Sequence, residues 1–276
     1  MNDADDWERT IRNDPRSTAD LISAALTAAD EDAAWDIICV LQHRGTGEVL
    51  DATRRLCASE CPRERELAAD ILGQSRVRDK TQHEESVRLL IGLLETEQDL
   101  DVVWSALCAV GHRGDPLAIP AVLRWKDHPD PEIRLGVVFA LVGLTDVSAV
   151  NALIELSGDQ DTDVRDWATF ELGSQIDIDT PSIRDALVRR LTDADETVRG
   201  EAIVGLARRK DERVLPLLLE ELERDEVSDL ALDAAAETGD PSLLPALLRL
   251  KERTQDAPGI WLQSALDRCG GMSWGG

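Results

Sequence analysis

Apolar positions recur along this chain three, four and seven residues apart, the spacing that lines one face of a helix rather than the alternation of a strand. Three stretches align without a gap: Asp130-Pro-Glu-Ile-Arg134 running to Leu141, Asp161-Thr-Asp-Val-Arg165 to Leu172, and Asp195-Glu-Thr-Val-Arg199 to Leu206. Each reads acidic residue, two spacers, aliphatic, Arg, then a small or aliphatic residue three further on (Val137, Ala168, Ala202) and a Leu at seven. Phe139 and Phe170 share a slot in two of them. Weaker copies extend the pattern in both directions. Arg65 precedes Ala68 and Leu72, Val103 precedes Ala106 and Val110, and Ala34 precedes Ile37 and Leu41, while Ser228 and Gly259 hold the slot before Ala231 and Leu262. The Arg slot therefore falls at residues 34, 65, 103, 134, 165, 199, 228 and 259. Self-similarity at a period of about 32 residues is the signature of a repeat architecture.

Each unit holds a second apolar segment ahead of the slot, such as Leu89 to Leu94, Leu153 to Leu156, Leu187 to Leu191 and Leu243 to Leu250. The joints agree with two helices per unit. Asp130, followed by Pro131, is an N-cap with proline at the first helical position, and Asp161 and Asp195 fill the same place. Gly114-Asp-Pro116, Gly239-Asp-Pro241 and Asp179-Thr-Pro181 stop one helix and start the next. A lone helical hairpin cannot hide its apolar stripe, but stacked hairpins share a continuous core. The prediction is an all-α solenoid of about eight hairpins over residues 17–269, with an N-terminal cap over 1–16 that includes a helix from Asp3 to Arg12, and a flexible tail over 270–276. Gln74 to Glu84, where the repeat step lengthens, reads as an enlarged loop.

The acidic-x-x-Val-Arg, Ala, Leu-Gly pattern with its Gly-Asp-Pro joint resembles bacterial HEAT repeats of the phycobilisome-lyase-like type, from Ser17 to Cys269. The resemblance implies a right-handed α-α superhelix of the HEAT/armadillo kind. Relatives of that fold include phycobilin lyases, a di-iron deoxyhypusine hydroxylase, DNA-alkylation glycosylases, and many adaptors and scaffolds. In such solenoids the second helices line the concave face, where partners are gripped.

Composition narrows the function. With 55 acidic against 30 basic residues the net charge is −25. Nucleic acids are bound mainly through phosphate neutralisation, so neither they nor anionic membranes are expected partners. A protein or peptide of basic character fits better, its approach speeded by long-range attraction. Arg dominance over Lys, with abundant Ala and Asp, also suits a GC-rich genome, which alone would produce acidity. Five scattered cysteines do not form a disulfide framework, and Cys57 and Cys61 lack a second pair to complete a zinc site. No signal peptide and no membrane-length apolar run is visible, so the expected location is the cytoplasm.

Two residue sets stand out as candidate partner contacts. Arg65, Arg134, Arg165 and Arg199 would form a column beside the second helices, either pairing with acids of their own or the next turn (Asp161 or Asp163 near Arg165) or meeting a carboxylate-rich partner. Trp35 and Trp104 sit one past the slot, Trp167 and Trp261 two past it, so four of seven Trp lie early in second helices. They are either core filler between repeats or a gripping stripe, since Trp is enriched at binding hot spots. Trp125, ending a first helix, reads as packed on the outer layer or a rim. His43 and His112 end matched helices, where a cation favours the dipole. The di-iron hydroxylases need paired His-Glu motifs, and only His83-Glu84 qualifies, in the expected loop. No catalytic, metal or cofactor residues are therefore assigned. The expected function is a non-catalytic scaffold or adaptor; the alternatives are a lyase-like enzyme or chromophore-handling protein, and an acidic inhibitor of immunity type that blocks a basic partner such as a nuclease.

Overall fold

The computed structural model describes residues 14–75, 80–254 and 259–271. Among the described residues there are sixteen α-helices and no strand, so the chain is all-α as expected. It divides into two compact units, residues 1–144 and 145–276. The first holds α1 (Thr18–Leu26), α2 (Glu31–Arg44), α3 (Gly47–Cys57), α4 (Pro62–Gln74), α5 (Lys80–Thr96), α6 (Leu100–Arg113), α7 (Ile119–Leu123) and α8 (Pro131–Ala140). The second holds α9 (Val147–Leu156), α10 (Thr162–Phe170), α11 (Pro181–Arg190), α12 (Glu196–Arg208), α13 (Leu215–Leu222), α14 (Asp229–Thr238), α15 (Leu244–Arg253) and α16 (Ile260–Cys269). Odd-numbered helices are the first of each hairpin and even-numbered ones the second, and each slot found in the sequence lies in or at the start of an even-numbered helix.

The local chemistry explains these boundaries. Asp99, Asp161 and Asp195 each accept two N–H groups of the following first turn, and Asp130 accepts one, satisfying amides that have no partner inside the helix. At the other end of α6, Gly114 takes a left-handed φ of 59°, and its N–H closes the helix on the Val110 carbonyl. Before α7, α13 and α15 the joint is a single 3-10 turn capped by Asp115, Asp211 or Asp240.

The motif's apolar positions are the core. Val102, Ile133, Val164 and Val198, one before the slot, are buried, as are Ala68, Ala106, Val137, Ala168 and Ala202 three after it. The residues seven after it (Leu72, Val110, Leu141, Leu172, Leu206) are buried too. Small side chains at the third position let second helices lie against one another, α2 on α4, α4 on α6 and α6 on α8 in the first unit, and α10 on α12, α12 on α14 and α14 on α16 in the second.

One expectation is corrected. Residues 80–84 are not loop but the start of α5, which at 17 residues is longer than its counterparts. The long repeat step is thus chiefly extra helix, because Lys80 to Glu85 continue the polar face of a helix whose apolar stripe begins at Val87. The expected helix from Asp3 to Arg12 and the tail beyond Gly271 lie outside the described residues.

Candidate partner-binding ridge

The four slot arginines make one repeated contact. Each donates from Nη1 to the carbonyl six residues before it: Arg65 to Ser59 at 2.9 Å, Arg134 to His128 at 2.8 Å, Arg165 to Asp159 at 3.0 Å and Arg199 to Asp193 at 2.7 Å. The slot thus ties each second helix to the turn that precedes it. Two arginines also reach a carboxylate of the next hairpin in a fork. Arg65 meets Glu97 at 2.6 and 2.9 Å, and Arg165 meets Asp193 at 3.1 and 3.2 Å. The partner of Arg165 is therefore Asp193, not Asp161, whose carboxylate caps α10, nor Asp163. The Arg65 guanidinium holds the Glu97 carboxyl down to about 2.

The tryptophans are placed differently. Trp35, Trp167 and Trp261 keep 44%, 42% and 45% of their surface exposed, whereas Trp104 is half-buried. Trp104 meets Phe139 edge-on at 6.0 Å between centroids, and Trp167 meets Phe170 in the same manner at 5.8 Å. Trp125 lies after α7, half-buried, and its indole N–H donates to the Leu94 carbonyl at 3.0 Å.

The structure brings Trp35 and Trp104 together. They line one cleft of about 330 Å³ in the first unit, together with Leu26, Ile38, Leu67, Glu31, Glu66 and Asp70. Trp167 and Trp261 stand apart, on α10 and α16 of the second unit.

Beside the Trp positions lie carboxylates that the sequence reading did not single out. In the first unit, burial together with the Glu66 charge pushes the Asp70 carboxyl up to about 7, against a lowering hydrogen bond from Ser105. Burial and Asp101 raise Glu66. In the second unit, burial together with Asp166 and Asp233 pushes Glu201 up to about 7. Asp166 is raised by burial and Asp195, and Asp233 by burial and Glu237. One oxygen of Asp166, Oδ1, is enclosed and makes no hydrogen bond to the described residues. These positions share registers with the tryptophans. Glu66 and Asp166 fall one past the slot like Trp35 and Trp104, Glu201 two past it like Trp167 and Trp261, and Asp70 and Asp233 one helical turn beyond, at five past. The shared register was the available signal. Its depth was not, because neighbouring hairpins supply the burial.

His43 Nδ1 lies 2.9 Å from the Cys39 carbonyl, and His83, on α5, lies 3.3 Å from Asp115. Among the described residues no group of three or more His, Cys, Asp or Glu is placed to hold a metal ion, and no helix is long and apolar enough to cross a membrane.

The family model for HEAT repeats matches residues 89–173 and 150–238. Protein YibA of Escherichia coli (strain K12) is 32% identical over 214 residues, spanning 75% of this chain and 76% of that protein. The X-ray structure of E. coli YibA superposes with a TM-score of 0.76 at 26% identity, covering 98% of this chain and 97% of that one. An engineered protein shares the fold at a TM-score of 0.51 and 18% identity, covering 97% and 89%.

Proposed function

Because the chain belongs to the HEAT-repeat family, we propose that it is a non-catalytic interaction module of the cytoplasm whose second-helix ridge binds a basic protein or peptide. The observation that carries this reading is the meeting, in the two registers just past the slot, of indoles and carboxylates raised by burial, with Asp70 and Asp233 one turn further on. Trp35, Trp104, Trp167 and Trp261 supply large apolar contact area at small entropic cost, and Glu66, Asp70, Asp166, Glu201 and Asp233 supply charge that is already partly desolvated. A cationic side chain arriving there gains more than it would from a fully hydrated surface carboxylate. Arg65, Arg134, Arg165 and Arg199 border the ridge and hold its turns in place; a carboxylate on the partner would have to compete with those internal bonds.

The test is recovery of a basic partner by the intact chain and by a variant with Trp35→Ala, Trp167→Ala and Trp261→Ala, three sites whose exposure makes loss of the fold unnecessary. Recovery should fall at least tenfold. Unchanged recovery by a variant with the wild-type unfolding temperature would remove the proposed mechanism.

The row of Asp166, Glu201 and Asp233 on successive second helices favours a second reading, an acidic inhibitor or immunity-type protein. There the basic partner is a nuclease whose anion-binding surface becomes covered. It predicts that the partner loses nucleic-acid binding as the chain is titrated in; retained binding in the complex would contradict it.

A further inference from the structure

We propose that the cleft bounded by Trp35 and Trp104 in the first unit is a receptor for a single arginine side chain of the partner, held between indole faces and the Glu66 and Asp70 carboxylates. This rests on the ridge reading and narrows it to one anchoring contact.

The shape comes first. The cleft of about 330 Å³ counts Leu26, Ile38 and Leu67 in its lining, apolar surface for the methylenes of a long side chain. It lies at the small end of the roughly 300–1,000 Å³ range of sites that enclose a ligand group. The charge comes second. Glu66 and Asp70 are one helical turn apart on α4 and so share a face, and Glu31 faces them from α2. Among the described residues no basic group forms an ion pair with Glu66 or Asp70; Asp70 accepts from Ser105, and Arg63 stands exposed at the lining beside Glu66. The walls come third. A planar guanidinium stacks on indole and fits carboxylates in a fork, whereas an ammonium is compact, strongly hydrated and matches neither. Two indoles in one lining with two carboxylates on one helix face therefore select arginine over lysine.

A proton linkage follows. Asp70, pushed up to about 7 by burial and the Glu66 charge, is partly protonated at neutral pH. The groups around it are Glu66 and Arg63 on its own helix, Arg63 lowering Glu66, with Glu31 from α2, Asp99 capping α6, and Asp101 and Cys108 on α6, the thiol itself raised to about 11 by burial and Asp70. From α1 come only Ala25 and Leu26, and α3 and α5 bring no side chain to the lining. A bound cation expels the proton, so binding tightens as pH rises through 7.

The experiment is calorimetric titration of the full chain with acetylated, amidated tetra-arginine, tetra-lysine and tetra-citrulline peptides at low and physiological salt, in buffers of different ionisation enthalpy at pH 7. Tetra-arginine should bind at least tenfold tighter than tetra-lysine, tetra-citrulline should not bind measurably, and binding should release protons, seen as a heat that scales with the buffer's ionisation enthalpy. Asp70→Asn and Trp35→Leu should each abolish the arginine preference, with folding checked by thermal unfolding, while Glu95→Gln, the same loss of charge on a first helix, should leave it intact. Equal binding of arginine and lysine peptides, or a preference that survives both cleft variants, would overturn the receptor and leave the ridge reading standing. Absence of binding by either cationic peptide at low salt would overturn both.

Discussion

Arg209 donates to the carbonyls of Leu172, Ile176 and Ile178 through Nη2 and to Gly173 and Gly205 through Nη1, at 2.7 to 3.1 Å. Its side chain is only 6% exposed, so truncation would strand several carbonyls away from water. Each such loss costs about 1–3 kcal/mol. Arg209→Ala should therefore lower the unfolding free energy in urea by about 3 kcal/mol, whereas Arg213→Ala, at a half-exposed guanidinium whose partner Asp211 keeps Arg184, should cost clearly less. Equal losses would contradict this assignment of roles. Asp70 and Glu201 give a pH prediction. Both are raised by burial to about 7, so between the ordinary carboxylate range and 7 the folded chain binds more protons than the unfolded one. Stability then falls as pH rises through that window. Glu97, held at about 2, acts the opposite way, and its contribution is lost as pH drops below 4. The unfolding temperature should peak near pH 5, and combined Asp70→Asn and Glu201→Gln should flatten the decline between 5 and 7; an unchanged slope would contradict it. At this scale the sequence was half legible. The Arg slot announced itself by repetition, but its carbonyl acceptors did not, since backbone groups leave no mark in a residue pattern. Asp70 and Glu201 looked like ordinary surface acids because their burial comes from the hairpins on either side.

Helix ends were the most legible elements. Aspartates before the slots cap as expected, and the Gly-Asp-Pro joints turn as expected, because capping is decided within a few residues. The stretch at 80–84 misled because its polar residues resemble a loop when the apolar stripe below them has not yet begun. A close approach between elements was hidden as well. A Cβ on Gly205 of α12 would lie 2.6 Å from the Gly173 Cα and 3.0 Å from Leu187 Cδ1, so backbone meets backbone there. Gly205→Ala should destabilise by about 1–3 kcal/mol through overpacking. On α5, by contrast, a Cβ at Gly92 would meet nothing within 4 Å, and Gly92→Ala should stabilise by up to about 1 kcal/mol. Urea midpoints of the two variants check the pair, and shifts in the same direction would refute it.

Over the whole molecule, on the proposed reading, the −25 net charge acts at long range and the ridge at contact. Steering of a basic partner by such a field is screened within a Debye length of about 8 Å at physiological salt. The association rate should therefore fall steeply between low and physiological salt, while the dissociation rate, set by the buried tryptophans and carboxylates, should change much less. Composition made the sign of this field readable from the start. Where it matters was not readable, because acids spread along the chain are sorted into paired and unpaired only by packing. The most direct measurement is photocrosslinking in the native cell from single positions on the two kinds of helix. Ridge positions Trp35, Trp167 and Trp261 should yield adducts with a basic protein, and first-helix positions Val147 and Leu248, also exposed, should not. Adducts confined to the first-helix positions, or with acidic proteins alone, would contradict the account.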